Sequence, residues 1–188
     1  MDQLRNYGDR RNQGWCVYCG RAEETRDHVP SRILLDEPYP ANPPIVPACL
    51  RCNAGYSLDE EYLACLVDCV LAGDTEPQGI FRAKIRRILS RKPKLAARIR
   101  KSKQVIDNRI IFRPEADRVR NVFLKLGHGH AAFELNEPQL DEPARVFFEA
   151  FERMTLKERH NFECVTILNA RQIRSYSQRW AAEHCSGC

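Results

Sequence analysis

No uninterrupted apolar run in this 188-residue chain approaches the roughly 20 residues that a membrane-spanning helix requires. The opening segment, MDQLRNYGDRRNQGW, has no apolar signal stretch. Internal repeats and low-complexity tracts are also missing. These absences exclude an integral membrane protein and count against a secreted disulfide scaffold, so a soluble, cytoplasmic chain is expected. Hydrophobic residues make up 43% and charged residues 29%, which suits a packed core and excludes general disorder. A mass of 21.8 kDa leaves room for one compact domain, or for a small module followed by a helical body.

Acidic residues are absent from residues 80–103, which hold 11 Lys and Arg. Residues 1–79 carry 7 basic against 13 acidic side chains, and residues 104–188 carry 12 of each. The whole positive excess behind the net charge of +5 therefore sits in one short stretch. Such a block matches a polyanion; a solvated helical face is the alternative.

Cysteine is plentiful, with nine in the chain. Four form two brackets, Cys16-Val-Tyr-Cys19 and Cys49-Leu-Arg-Cys52, with 29 residues between them. A two-residue spacer lets both sulfurs of a bracket turn toward one ion, so the pair of brackets predicts a tetrahedral four-thiolate zinc site. A redox CxxC would leave the second bracket without a use. Without an export signal, disulfides are disfavoured. Cys65 and Cys69 share one helical face and read as buried thiols, as does Cys164. The tail His184-Cys185-Ser186-Gly187-Cys188 is either a mobile end or a further ligand pair.

Residues 1–14 read as a mobile arm or a short lead-in helix, and 15–56 are punctuated by Pro, Gly and Asn as in a small metal-held unit. Residues 36–44 must form an irregular loop, and Ile45-Val46 a short strand. Ser57-Leu58-Asp59-Glu60 has the form of a capping box, with Leu58, Tyr62, Leu66 and Cys69 at helical spacing and Gly73 as the stop. Phe81, Ile85, Ile88 and Leu89 form an apolar stripe. Pro93 breaks that helix, and a second basic helix follows to about residue 103. A strand is expected over 104–112, and a helix opening at Pro114 with Val119, Val122, Phe123 and Leu126 as its stripe. The glycines of Gly127-His128-Gly129-His130 predict a loop, where the histidines are either exposed or a ligand pair. Strands are expected over 145–151 and 164–168. Thr155-Leu156-Lys157-Glu158 is a second capping box, and a terminal helix follows Asn169.

Between the brackets lies Arg26-Asp27-His28-Val29-Pro30, and Asn53 directly follows the second. An ion that fixes both turns would let Asp27, His28 and Asn53 converge. Asp27 offers a hard oxygen ligand, Asn53 an uncharged one, and His28 can take a proton from water near neutral pH. These are the parts of a metal-assisted phosphodiester hydrolase. Each residue alone has an ordinary structural explanation; their joint placement carries the reading.

The order Cys16-x-x-Cys19, Asp27-His28-Val29, Cys49-x-x-Cys52-Asn53 resembles the HNH endonuclease family in its zinc-bracketed ββα-metal form. The likeness covers residues 15 to about 63. It implies a small zinc-bound ββα-metal module over 15–72; the residue pattern itself gives the rest as a mostly helical body with a few short strands, a basic helical segment over 80–103 and an α+β region over 104–188, so that the expected fold is α+β. It implies that Cys16, Cys19, Cys49 and Cys52 hold structural Zn²⁺, that Asp27 and Asn53 bind a catalytic divalent cation, and that His28 is the general base. Mg²⁺ is the first choice for that ion, with Mn²⁺, Ni²⁺ or a second Zn²⁺ also suited to the donors. The implied activity is hydrolysis of phosphodiesters in DNA.

Many family members carry a His, Asn or Lys where this chain has Ser57. Ser57 is a poor cation ligand, and the third donor stays open among Ser57, Glu60, Glu61 and water. The motif region is acidic and four thiolates add negative charge, so residues 80–103, through Arg82, Lys84, Arg86 and Arg87, are expected to attract double-stranded DNA. Arg32 and Arg51 either clamp the scissile phosphate or make surface salt bridges. The rival reading is a non-catalytic zinc-bracketed module that binds nucleic acid. A weaker third is a protein adaptor whose basic segment meets an acidic partner.

Overall fold

Cys49 starts the longest helix among the described residues. The computed structural model describes residues 13–143, 146–149 and 153–163. In it β1 (Thr25–His28) and β2 (Ile45–Ala48) pair antiparallel, Asp27 opposite Val46 and His28 opposite Ile45. Helix α1 (Leu50–Ala72) follows at once. Cys49 has extended backbone, and its sulfur accepts a hydrogen bond from the Cys52 N–H at 3.4 Å, the cap geometry that Ser or Asp usually supplies. Ser57 and Glu60 consequently lie inside α1 and do not open it. The helix stops as expected at Gly73, whose φ of 64° is left-handed.

The buried stripe of α1 is Tyr62, Cys65, Leu66 and Cys69, whereas Leu58 faces outward. Burial of Cys65 and Cys69 agrees with the sequence reading. A 3₁₀ turn (Pro77–Gly79) leads to α2 (Ala83–Arg91) and α3 (Pro93–Ser102), which break at Pro93. Ile85, Leu89 and Ile99 are buried, each contributing about 1.5–3 kcal/mol. Phe81 is 96% exposed and precedes α2, so it does not belong to the expected stripe.

The strand expected over 104–112 is a hairpin, β3 (Lys103–Ile106) with β4 (Arg109–Phe112). Asp107 and Asn108 turn the chain with φ of 48° and 60°, the left-handed pair that tight hairpins require. Helix α4 (Ala116–Glu134) runs straight through Gly127-His128-Gly129-His130, where the sequence pointed to a loop. Val119 and Val122 are buried as expected, but Phe123 is exposed. Helix α4 packs along α1 and against β2.

The chain forms two compact units, Met1–Val146 and Phe147–Cys188. In the second, Thr155 and Glu158 make the expected reciprocal capping box: the Glu158 N–H donates to Thr155 Oγ1 at 3.2 Å, and the Thr155 N–H donates to the Glu158 carboxylate at 2.8 Å. Helix α5 (Leu156–Glu163) follows, and the Phe147 and Phe162 rings lie 6.0 Å apart. Residues 146–149 form no strand. Residues 1–12 of the arm, Cys164, the strand over 164–168, the helix after Asn169 and the Cys185/Cys188 tail lie outside the described residues. Among the described residues no helix is long and apolar enough to cross a membrane.

Candidate functional site

Two turns bring the four bracket cysteines together. The first bracket loops back on itself through the Gly20 N–H, which donates to the Cys16 carbonyl at 2.8 Å; the second is the first turn of α1. The ligand atoms of Cys16, Cys19, Cys49 and Cys52 all lie within 4.8 Å of one another. Sulfurs 2.3 Å from a shared tetrahedral ion stand about 3.8 Å apart, and Cys19 Sγ lies 3.7 Å from Cys49 Sγ. The group can therefore hold a metal ion such as zinc. Arg21 donates to Cys19 Sγ at 3.4 Å and to Cys49 Sγ at 3.8 Å. Burial works against ionisation of Cys19, but the Arg21 hydrogen bonds outweigh it and hold the thiol down at about 6. That favours the deprotonation which metal binding demands.

A buried cluster of Val17, Tyr18, Val29, Val46, Ala48 and Ala132 surrounds the brackets. It ties the knuckle loop, the hairpin and the end of α4 into one body. The Asn53 side-chain amide, on the first turn of α1, donates to the Arg26 carbonyl of β1 at 3.4 Å. Asn53 thus meets the backbone of β1 at Arg26, while the Asp27 side chain is engaged by Tyr18 and Lys125.

Successive strand residues face opposite ways, and here Asp27 turns inward. Its carboxylate is buried and accepts the Tyr18 hydroxyl on Oδ2 at 2.8 Å. Lys125 Nζ lies 3.0 Å from both of its oxygens. The same ammonium donates to Glu60 Oε1 and reaches within 3.5 Å of the His28 carbonyl. Burial pushes the Glu60 carboxyl up, against the pull of Lys125, and burial with the neighbouring Asp27 pushes the Tyr18 phenol up. A catalytic divalent ion on Asp27 and Asn53 does not fit this arrangement: both Asp27 oxygens already serve a cation and a hydroxyl. Among the described residues, the four cysteines are the only group of three or more Cys, His, Asp or Glu close enough to share an ion.

His28 is half-buried, and its Nε2 is buried with no hydrogen-bond partner among the described residues. Burial first, then the charges of Arg32 and Lys125, hold its pKa below the usual imidazole value, against the opposing pull of Asp27. His128 is held low by burial, and its Nδ1 is likewise buried and unpartnered among the described residues.

The basic segment divides in two. Arg82 donates to the Ile33 and Leu35 carbonyls at 2.8 Å and bridges Asp36 and Asp68. Lys84 donates to the Arg32 carbonyl and to the Tyr39 hydroxyl. Both therefore pin the loop after β1, in contrast to the phosphate-binding role expected for them. Lys92 pairs with Glu61, Arg98 with Glu115, Arg100 with Glu76 and Lys103 with Asp74. Arg86, Arg87, Arg91, Lys94 and Lys101 are exposed. Arg51, inside the second bracket, and Arg32, in the loop after β1, are exposed, with the Arg32 guanidinium 6.0 Å from the Tyr39 ring centre. Lys94 and Lys101 join Arg98, Arg113 and Glu115 around a shallow groove of about 500 Å³ beside α3.

Lys125 and Tyr18 were invisible to sequence reasoning. Lys125 lies 98 residues from Asp27 and 65 from Glu60, and nothing local to it signals burial. No family model matches this chain, and no match to it was found among the curated proteins or the solved structures.

Proposed function

We propose that this chain is an HNH-type endonuclease that hydrolyses phosphodiester bonds in DNA, with structural zinc in the four-cysteine group and His28 as the general base. One observation carries the reading: His28 ends a strand that pairs with β2 and meets the Asn53 amide on the first turn of α1, and its Nε2 has no hydrogen-bond partner among the described residues. A neutral imidazole is the form that can accept a proton, and its depressed pKa keeps it neutral at pH 7. His28 takes the proton from the attacking water, while Arg32 and Arg51 offset the charge gathering on the phosphate. Arg86, Arg87 and Arg91 on α2, with Lys94 and Lys101 on α3, supply the long-range attraction for the duplex.

The test is digestion of supercoiled plasmid by the zinc-loaded protein, alone and with Mg²⁺, Mn²⁺, Ni²⁺ or added Zn²⁺. Wild type should nick the plasmid. His28→Ala should lower the rate by about 10²–10⁴-fold, the usual contribution of a general base, with zinc content and circular dichroism unchanged. Equal cutting by both proteins removes His28 from the mechanism. The engagement of Asp27 by Lys125 and Tyr18 favours a second reading, a zinc-bracketed module that binds nucleic acid without cutting it. Salt-sensitive DNA binding with no cleavage in any ion selects that one.

A further inference from the structure

Lys125 is the one lysine among the fully buried large side chains of the described residues, and its side chain is 0% exposed. It does not meet a single partner, as most buried ammonium groups would. Around Nζ stand both Asp27 oxygens, Glu60 Oε1 and, at 3.5 Å, the His28 carbonyl. These oxygens come from β1 and α1, and the ammonium comes from α4. All the acceptors are oxygens, and Tyr18 orients the carboxylate from outside by donating to Oδ2.

An all-oxygen cradle with two carboxylates and one main-chain carbonyl is the donor set of a hard divalent cation. Two ionised carboxylates answered by one ammonium leave a formal charge of −1, whereas a divalent ion would cancel them. Asp27 is also held independently of Lys125, by β-pairing with Val46 and by the Tyr18 hydroxyl on Oδ2, and Glu60 lies within α1.

We propose that Asp27, Glu60 and the His28 carbonyl form a hard-cation site whose resident occupant is the Lys125 ammonium, so that Lys125 and a divalent ion exclude each other there. The wild-type protein then binds no divalent ion through Asp27. Removing the ammonium opens the cradle to Mn²⁺, Mg²⁺ or Ca²⁺. The proposal takes Asp27 away as a divalent-ion ligand in the nuclease reading, and its test reads ion uptake and not cleavage, so the two can fail separately.

Mn²⁺ binding to the zinc-loaded full chain is the test, followed by the decline of the free-Mn²⁺ electron paramagnetic resonance signal and by the thermal midpoint as a function of Mn²⁺ concentration. Wild type should leave the signal and the midpoint unchanged. Lys125→Met, which retains most of the side-chain volume, and Lys125→Ala should each take up Mn²⁺ and show a midpoint that climbs with its concentration. Adding Asp27→Asn to either variant should abolish both effects. If a Lys125 variant is unfolded without metal, Mn²⁺ should restore its circular dichroism, and failure to do so overturns the proposal. It is equally overturned if wild type binds Mn²⁺ in a manner that Asp27→Asn abolishes, or if a folded Lys125 variant takes up none.

Discussion

Gly129 of α4 rests directly on Val29: a Cβ built on Gly129 would stand 2.5 Å from Val29 Cγ2 and 2.8 Å from Cγ1. Val29 is fully buried immediately after the His28-bearing strand, so its branched side chain cannot yield. Glycine in a helix interior costs about 1 kcal/mol relative to alanine, but forcing a methyl into a packed core costs about 1–3 kcal/mol. Overpacking therefore wins, and Gly129→Ala should destabilise the protein. Gly127, two residues away, has nothing within 4 Å of its would-be Cβ, so Gly127→Ala should stabilise by about 0.5–1 kcal/mol. Urea unfolding of the two variants should give shifts of opposite sign.

Metal removal should act on fold before function. The brackets fix the knuckle loop, the hairpin and the helix start together, and folding is coupled to the metal in such sites. A strong chelator should therefore abolish cooperative unfolding of the first unit, and stoichiometric zinc should restore it. Cys19→Ser should reproduce the chelated state. Unchanged melting after complete zinc removal, verified by elemental analysis, would contradict this.

The low pKa of His28 sets the direction of the pH response. In the unfolded chain the imidazole protonates near its ordinary value of about 6.5; in the folded protein burial, Arg32 and Lys125 delay this to lower pH, despite Asp27. Between those values the unfolded chain binds more protons, so stability falls as pH drops below about 6.5. His128 acts in the same sense through burial. Replacing either by Gln should flatten the acid side of a stability-against-pH curve. The acid limb of any cleavage profile should also lie below about 6.5.

Arg82 and the exposed arginines of α2 should separate cleanly. Arg82→Ala removes hydrogen bonds to two loop carbonyls and leaves the buried Asp68 without its bridge, so it should cost stability, with DNA affinity following the fold. Arg86, Arg87 and Arg91 are exposed. Their replacement by Ala should leave melting nearly unchanged while reducing the slope of log affinity against log salt by about 0.9 for each phosphate no longer neutralised. Filter binding across a salt series distinguishes the two.

Features governed by neighbouring residues were legible in the sequence. The CxxC brackets, the stop at Gly73, the break at Pro93 and the Thr155–Glu158 box each depend on a few adjacent side chains. Misreadings came where something distant, or a stronger local cap, decided the outcome. Ser57 and Glu60 have capping-box spacing, but the Cys49 bracket begins the helix two turns earlier, and Glu60 is drawn to Lys125 instead. The Gly-His-Gly-His run suggested a loop, yet Gly129 serves close packing on Val29. The hairpin at Asp107-Asn108 did leave a signal, two residues tolerant of left-handed backbone between Ile-containing runs. Arg82 and Lys84 belonged to a basic block, but acids and carbonyls from far earlier in the chain claim them.

Cys49 does two tasks with one sulfur: it belongs to the metal-binding group and it caps the 23-residue helix α1. A chain with that group unfilled would lack the clasp between the two brackets, while the Cys49 sulfur would still face the Cys52 N–H. Serine or aspartate at that position, good caps though they are, would keep the helix start and give up the fourth sulfur of the group.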